Sequence, residues 1–499
     1  MMMMQDSSTV KESLAMVDAI QRLGIDYHFE DEIDEILKRE YNNYHTTNCC
    51  FDGFNLHEIT LRFRLLRQQG YFLPSAGLLD KLKDKDGRFK QNLNDDIKGV
   101  MELYEASQLS IGGEDYILDE ARNYSYNVLI SWMKRFEYPQ VKNTIDHPHH
   151  KSLPRFMAQN FEEGPYKWSK EVQDIANFDL KMVQSQYKQE ILQISRWWEE
   201  IGVSKELKFA RNEPIKWHLW AMAILNQPNL SEQRIDLTKS ISFIYLIDDI
   251  FDVHGTLHQL ILFTQIIDRW DIAAAEQLPD CMRICFKALD KVTNEISYKI
   301  YKQHGCNPVD SLRKTWGTLC KAFLVEARWF ISGKTPNAEE YLQNGIVSSG
   351  VYVVLLHIFF MLGHGSTSEA TDFINDNPAI VSSAATILRL WDDLGSAKDE
   401  NQDGYDGSYL DFYMKENKGC SEDYARKKVI QMISDSWKKL NQESLFSTTP
   451  FSSTTYSKSC LNLARMVPLM YTYDHNQNLP LLQQHVGYLL CTENDEILL

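Results

Sequence analysis

Three aspartates interrupt an apolar run in "IYLIDDIFDVHG", residues 244–255: Asp248, Asp249 and Asp252. A carboxylate is costly to bury unless it is paired or bound to a cation. On a helix, Asp248 and Asp252 lie on one face, one turn apart, with Asp249 beside them. Converging carboxylates suit a hard divalent cation. Magnesium in particular takes one or two of them and leaves its other positions to substrate phosphates. A solvated helix end is the simpler reading of an arbitrary pattern of this kind. The apolar flanks "ISFIYLI" and "IF" weigh against it.

A second oxygen-rich stripe follows in "ILRLWDDLGSAKDENQDG", residues 387–404. Asp392, Ser396 and Glu400 are spaced by four and four, so a helix presents all three to one side over about 12 Å. Arg389 faces the same way and can donate to an anion through two parallel bonds. A calcium loop competes for the same region, since "DENQDG" at 399–404 fits its first six positions. Its twelfth position needs Glu and holds Leu410, and its eighth holds Asp406, so that reading is set aside. Two oxygen clusters and an arginine in a largely apolar chain point to metal-held diphosphate on a hydrocarbon tail.

The elements that position these groups read as helices. "EDEIDEILKREY", "FNLHEITLRFRLLRQQGY" and "FDLKMVQSQYKQEILQISRWWEEIG" repeat apolar residues at three and four. Prolines fall between such segments, and no fixed-period repeat is visible. The expected fold is all-α, with a boundary near 180–200: an N-terminal helical domain over 1–190 and a metal-binding catalytic domain over 191–499.

Composition bounds the rest. With 499 residues, 43% hydrophobic and 24% charged, the chain can bury a large core. A net charge of −17 argues against nucleic acid, whose binding rests on basic patches. Nine dispersed cysteines without paired CxxC motifs suit reduced thiols, and a helical turn separates Cys281 from Cys285 as in packing. The first residues, "MMMMQDSSTVKESLAM", carry neither a signal-peptide core nor an Arg-rich transit pattern, so a cytosolic location is expected, with a plastid location if a longer precursor exists. "GIVSSGVYVVLLHIFFMLG" at 345–363 is long enough to cross a membrane. His357 and the Ser348-Ser349-Gly350 interruption favour a buried helix instead. "HPHH" at 147–150 reads as an exposed loop, and "TENDEILL" as a solvated terminus.

These motifs, over nearly the whole chain, resemble the plant terpene synthases that ionise prenyl diphosphates. "LYEASQLSIGGEDYILDEAR" (103–122) resembles a landmark of their N-terminal helical domain, and "ISRWWEEIG" the passage into the catalytic one. Asp248, Asp249 and Asp252 match the family's aspartate-rich metal motif. Asp392, Ser396 and Glu400 match its second motif of Asn or Asp, Ser or Thr, and Glu. Chain-elongating prenyltransferases share the fold but carry a second aspartate-rich motif instead.

The resemblance implies an N-terminal α-barrel-like domain and a C-terminal α-bundle. It implies three magnesium ions, with manganese an alternative, a prenyl diphosphate substrate and a monomer. Arg211 and Arg389 would bind diphosphate together with Asp248, Asp252 and Asp392. Trp220 matches the pocket tryptophan, and Tyr245 and Phe243 are candidates to line the cation's pocket, with core packing the stronger reading for Phe243. Ser348, Ser349 and Gly350 match the family's helix break beside the diphosphate.

Departures bear on the product. The family's Arg-x-Arg is Arg211-Asn212-Glu213 here, and no Arg-Arg pair occurs. The Asp and Tyr of a C-terminal motif in cyclising relatives correspond to Asn478 and Pro480 in "YDHNQNLP", 473–480. These departures resemble the subfamily making acyclic alcohols such as linalool and nerolidol. Cyclic products and a non-catalytic helical scaffold are the alternatives.

Overall fold

The computed structural model describes residues 7–47, 55–113, 116–136, 138–159, 168–376, 378–396, 407–447 and 454–490. Helices succeed one another throughout, and among the described residues there is no β-strand. One isolated antiparallel bridge pairs Lys83 with Phe89. The all-α expectation holds. The chain forms two compact units, Met1–Met182 with Asn441–Ser457, and Val183–Leu440 with Lys458–Leu499. Helix Ser169–Ile201 runs without a break through the change from one to the other.

In the first unit, the apolar faces of helices Ser7–Arg22, Leu56–Gln68, Ile97–Ser107 and Tyr116–Met133 meet in one core. Phe63, Leu66, Leu103 and Leu118 are fully enclosed there. Each such side chain contributes roughly 1.5–3 kcal/mol on burial. Helix Leu56–Gln68 starts at a capping box, with Asn55 accepting from the Glu58 N–H at 2.9 Å. It carries Arg64, fully buried, onto Asp18 and Glu102, so the charge is compensated within the unit.

The "HPHH" segment is a correction. His149 and His150 form a buried turn, because the first unit supplies partners that a loop exposed to water would not need. The His149 N–H donates to Glu105 at 2.8 Å, and His150 Nε2 meets Asn441 Oδ1 at 2.8 Å.

The second unit is built around helices too apolar to face water. Helix Ser231–Asp249 buries Leu237, Ile241, Phe243, Leu246 and Ile247. Its early turns are pinned by charge. Arg234 lays its fork on Glu190, with Nε at 2.9 Å and Nη2 at 2.6 Å. His218 spans Glu190, at 3.1 Å, and Thr238, at 2.7 Å. Burial lowers the His218 pKa, against the raising pull of Glu190. The apolar stretch at 345–363, expected to pack internally, falls largely within Ala338–Met361, a run long enough to cross a membrane yet mostly buried within this unit. That run is two helices, Ala338–Ser348 and Val351–Met361, separated at Ser349-Gly350.

Candidate active site

Asp248 and Asp249 close helix Ser231–Asp249, and the backbone then widens into a π-turn over Ile250–His254. The turn is closed by the Gly255 N–H donating to the Ile250 carbonyl at 3.0 Å. A side chain at Gly255 would strike Leu260, its Cβ only 2.3 Å from that residue's Cδ2. Thr256 then caps helix Leu257–Arg269 in a capping box with Gln259. Asp252 lies on the exposed side of the turn. The aspartate motif therefore straddles a switch from α to π, not a uniform helix. π-turns interrupt helices at functional positions.

Arg211 joins the first two aspartates. Its Nη2 binds Asp248, its Nε reaches Asp249 at 2.7 Å, and its backbone N–H reaches the other Asp249 oxygen at 2.8 Å. Burial opposes the arginine's charge, but Asp248 and Asp249 more than offset it and hold the guanidinium protonated. Burial raises the Asp249 pKa, with Arg211 pulling the other way. The neighbouring positions are also committed. Asn212 accepts the Trp198 indole N–H at 2.6 Å, and Glu213 pairs with Lys216 at 3.5 Å. Phe209 stacks on His254, with centroids 4.2 Å apart and planes within 3°. An acid held by its own lysine thus stands where the family's second arginine would be.

An aromatic wall continues from this corner. The Arg211 guanidinium lies over the Tyr245 ring, 4.8 Å from its centroid. The Tyr245 hydroxyl accepts the Trp220 indole N–H at 3.2 Å. The ring centroids of Trp220 and Tyr471 are 6.4 Å apart. Burial pushes the Tyr245 pKa up to about 12 and that of Tyr471 well above its usual value, and the Asp392 charge raises both further. Tyr245 therefore feels the charges of both Arg211 and Asp392. Phe243 is fully buried, as core packing demands.

Helix Ala379–Ser396 carries the second cluster. Arg389 Nη1 is 3.9 Å from Asp392, its Nε lies 3.1 Å from Asp393, and its Nη2 donates to the Tyr341 hydroxyl. Ser396 ends the helix. Residues 397–406, with Glu400 and the "DENQDG" stretch, lie outside the described residues. Arg389 packs over Gly345, where an added Cβ would sit 3.0 Å from the arginine stem.

At the helix break, Gly350 has φ +72°, and a Cβ there would meet Ile244 Cγ2 at 2.7 Å. Only glycine fits both the left-handed backbone and that close approach. Ser348 donates to Glu326 at 2.7 Å, and Ser349 to the Ile346 carbonyl at 2.8 Å. The break is thereby held against Ile244, next in sequence to Tyr245. Tyr341 and Tyr471 escape sequence reading because their partners lie far along the chain. The second aspartate of "WDD" is the one available signal for Asp393.

Among the described residues no three His, Cys, Asp or Glu side chains are gathered closely enough to hold a metal by themselves. The donor set nonetheless suits a hard cation. The Arg211 guanidinium already sits as a positive charge shared between Asp248 and Asp249.

Residues 199–439 match the metal binding domain of the terpene synthase family, and residues 1–148 match the terpene synthase N-terminal domain. The chain belongs to the terpene synthase family. It is 63% identical to a probable terpene synthase 13 of Ricinus communis over 96% of this chain and 84% of that protein. An (E)-nerolidol synthase of Cannabis sativa is 50% identical, over 96% and 88% respectively. A chloroplastic S-(+)-linalool synthase of Arabidopsis thaliana is 48% identical, over 94% and 83%. The fold superposes on a limonene synthase with 2-fluorolinalyl diphosphate at a TM-score of 0.91 and 33% identity, covering 97% of this chain and 91% of that one. It also superposes on the isoprene synthase of grey poplar (Populus x canescens) in complex with three Mg2+ ions and dimethylallyl-S-thiolodiphosphate, at 0.87 and 34%, covering 97% and 93%.

Proposed function

We propose that this terpene synthase ionises geranyl diphosphate, farnesyl diphosphate or both, and captures the allylic cation with water. The products would be linalool, nerolidol and diphosphate. Asp248, Asp252, Asp392, Ser396 and Glu400 would hold magnesium, three ions as in the isoprene synthase complex, with manganese an alternative. When bound, the metal supplies Lewis-acid neutralisation of the diphosphate. Asp249, buried and committed to Arg211, fixes that arginine beside the motif.

Arg211 and Arg389 then receive the departing diphosphate, stabilising charge that appears only as the carbon–oxygen bond breaks. Tyr245 and Trp220 offer ring faces to the allylic cation. The observation that carries the alcohol product is the Trp220–Tyr245 hydrogen bond at 3.2 Å. It occupies an acceptor position of the phenol and leaves the O–H to orient a water. The nerolidol and linalool synthases among the relatives support the same product class. Ser348, Ser349 and Gly350 set the helix break that shapes this side of the pocket. The enzyme would act as a monomer.

Gas chromatography–mass spectrometry of products from geranyl and farnesyl diphosphates, each with magnesium, tests this. Linalool and nerolidol are expected. Mainly cyclic hydrocarbons from both substrates would overturn the alcohol assignment and favour a cyclic mono- or sesquiterpene synthase. No diphosphate release would favour a non-catalytic scaffold.

A further inference from the structure

Behind Arg389 stands a chain of buried groups that the metal motifs do not include. Arg389 Nη2 donates to the Tyr341 hydroxyl, and that hydroxyl donates in turn to Asp393 Oδ1 at 2.9 Å. The other Asp393 oxygen accepts the backbone N–H of Tyr409 at 2.9 Å. Tyr341 and Asp393 are 1% and 3% exposed, so neither exchanges these partners for water. The Arg389 guanidinium also lies 4.9 Å from the Tyr341 ring centroid, and Phe412 packs against that ring at 4.8 Å.

We infer that Tyr341 and Asp393 are positioning residues that aim Arg389 at the substrate diphosphate and tie the second-motif helix to the start of helix Tyr409–Glu416. Three features carry this. The phenol accepts from the arginine and donates to the carboxylate, so the relay has one direction and one arginine rotamer satisfies it. The Arg389 Nε lies against Asp393 at 3.1 Å and its Nη2 is held by Tyr341, so Nη1, 3.9 Å from Asp392, is the arm turned toward the second motif. Through its two oxygens Asp393 joins the second-motif helix to the Tyr341 hydroxyl and to the Tyr409 N–H, sixteen residues further along the chain.

This inference rests on Arg389 as a diphosphate ligand, and the experiment separates the two. Full-length Tyr341→Phe, Asp393→Asn and Arg389→Ala are made, with Tyr341→Phe also placed in the Arg389→Ala background. The probe is inorganic diphosphate as a competitive inhibitor at fixed magnesium, read beside KM, kcat and the thermal midpoint. Losing one buried hydrogen bond to a charged group should weaken inhibition and raise KM roughly tenfold in Tyr341→Phe. Asp393→Asn should act in the same direction. Tyr341→Phe should add nothing once Arg389 is gone.

Unchanged inhibition in Tyr341→Phe, with only the thermal midpoint lowered, overturns the clamp and leaves Arg389's role intact. An equal effect of Tyr341→Phe with and without Arg389 overturns it as well. Unchanged inhibition in Arg389→Ala overturns both the clamp and the assignment of Arg389.

Discussion

Arg211 holds Asp249 at two points, through its backbone N–H at 2.8 Å and its Nε at 2.7 Å, while its remaining fork rests on Asp248. The arginine is thus registered against the motif by main chain as well as side chain. The buried second aspartate orients the arginine, and the half-exposed first one stays accessible to a cation.

Arg211→Ala should lower kcat by roughly 10²–10³, the usual cost of losing one donor aimed at developing charge. Arg211→Lys should recover only part of this, because an ammonium cannot span two carboxylates as a fork does. Asp248→Asn should raise the magnesium concentration needed for half-maximal rate, whereas Asp249→Asn should mainly lower kcat with the magnesium requirement little changed. Steady-state kinetics across a magnesium series distinguishes them. Equal metal dependence in the two variants would contradict the division of roles.

Tyr245→Phe keeps the ring face and removes the hydroxyl that Trp220 donates to. The total rate should fall only a few-fold, while the alcohol fraction drops in favour of olefins. Trp220→Phe should shift the ratio the same way, since it frees the Tyr245 hydroxyl from its indole partner. Product ratios by gas chromatography provide the check, and an unchanged ratio in both would remove Tyr245 from water capture.

Gly350→Ala should destabilise the protein. A left-handed residue with a side chain costs roughly 1–2 kcal/mol, and the new Cβ would press on Ile244. Adding Ile244→Ala should return the steric part but not the backbone part. Urea unfolding of the single and double variants measures both.

Much of this was legible because local spacing carries it. Asp248 and Asp252 raise the expectation of an oxygen site, and the apolar letters around Phe243 announce a buried helix. What stayed hidden depends on chain closure over long separations. No pattern near residue 150 predicts that Asn441 will bury His150, and none near 341 predicts Arg389 and Asp393. The π-turn is invisible for a different reason. Its sequence is compatible with a continuous helix up to Gly255, where the absence of a Cβ leaves room for Leu260.

Glu105 gives the first unit a pH dependence of known sign. Burial raises its carboxyl from 4.5 to about 7, against the lowering pull of Arg22 and Arg64. Between those values the folded state binds a proton that the unfolded state has released. Stability contributed by Glu105 is therefore present below about pH 4.5 and lost as pH rises through 7. Glu105→Gln should flatten the dependence of the urea midpoint between pH 5 and 7.5. A wild-type midpoint that rises over that range, with the variant unchanged in slope, would refute it.

The turn at 474–478 shows why restoring a cyclising motif is not a simple swap. Asp474 accepts from the backbone N–H groups of Asn476 at 2.8 Å and Asn478 at 2.9 Å, and its other oxygen faces the Asn478 amide at 3.5 Å. Gln477 takes a left-handed backbone, φ 62°, inside that turn. Asn478→Asp places a second carboxylate against the first, so the turn should loosen, and more at low salt where screening is weakest. Pro480 opens helix Pro480–Leu490 at a position where its missing N–H costs nothing. Pro480→Tyr therefore gives up a preset backbone angle. The double variant should make cyclic products only at the expense of total turnover, with a salt-dependent rate. Cyclic products at full rate and without salt dependence would show that this turn has no hold on the pocket.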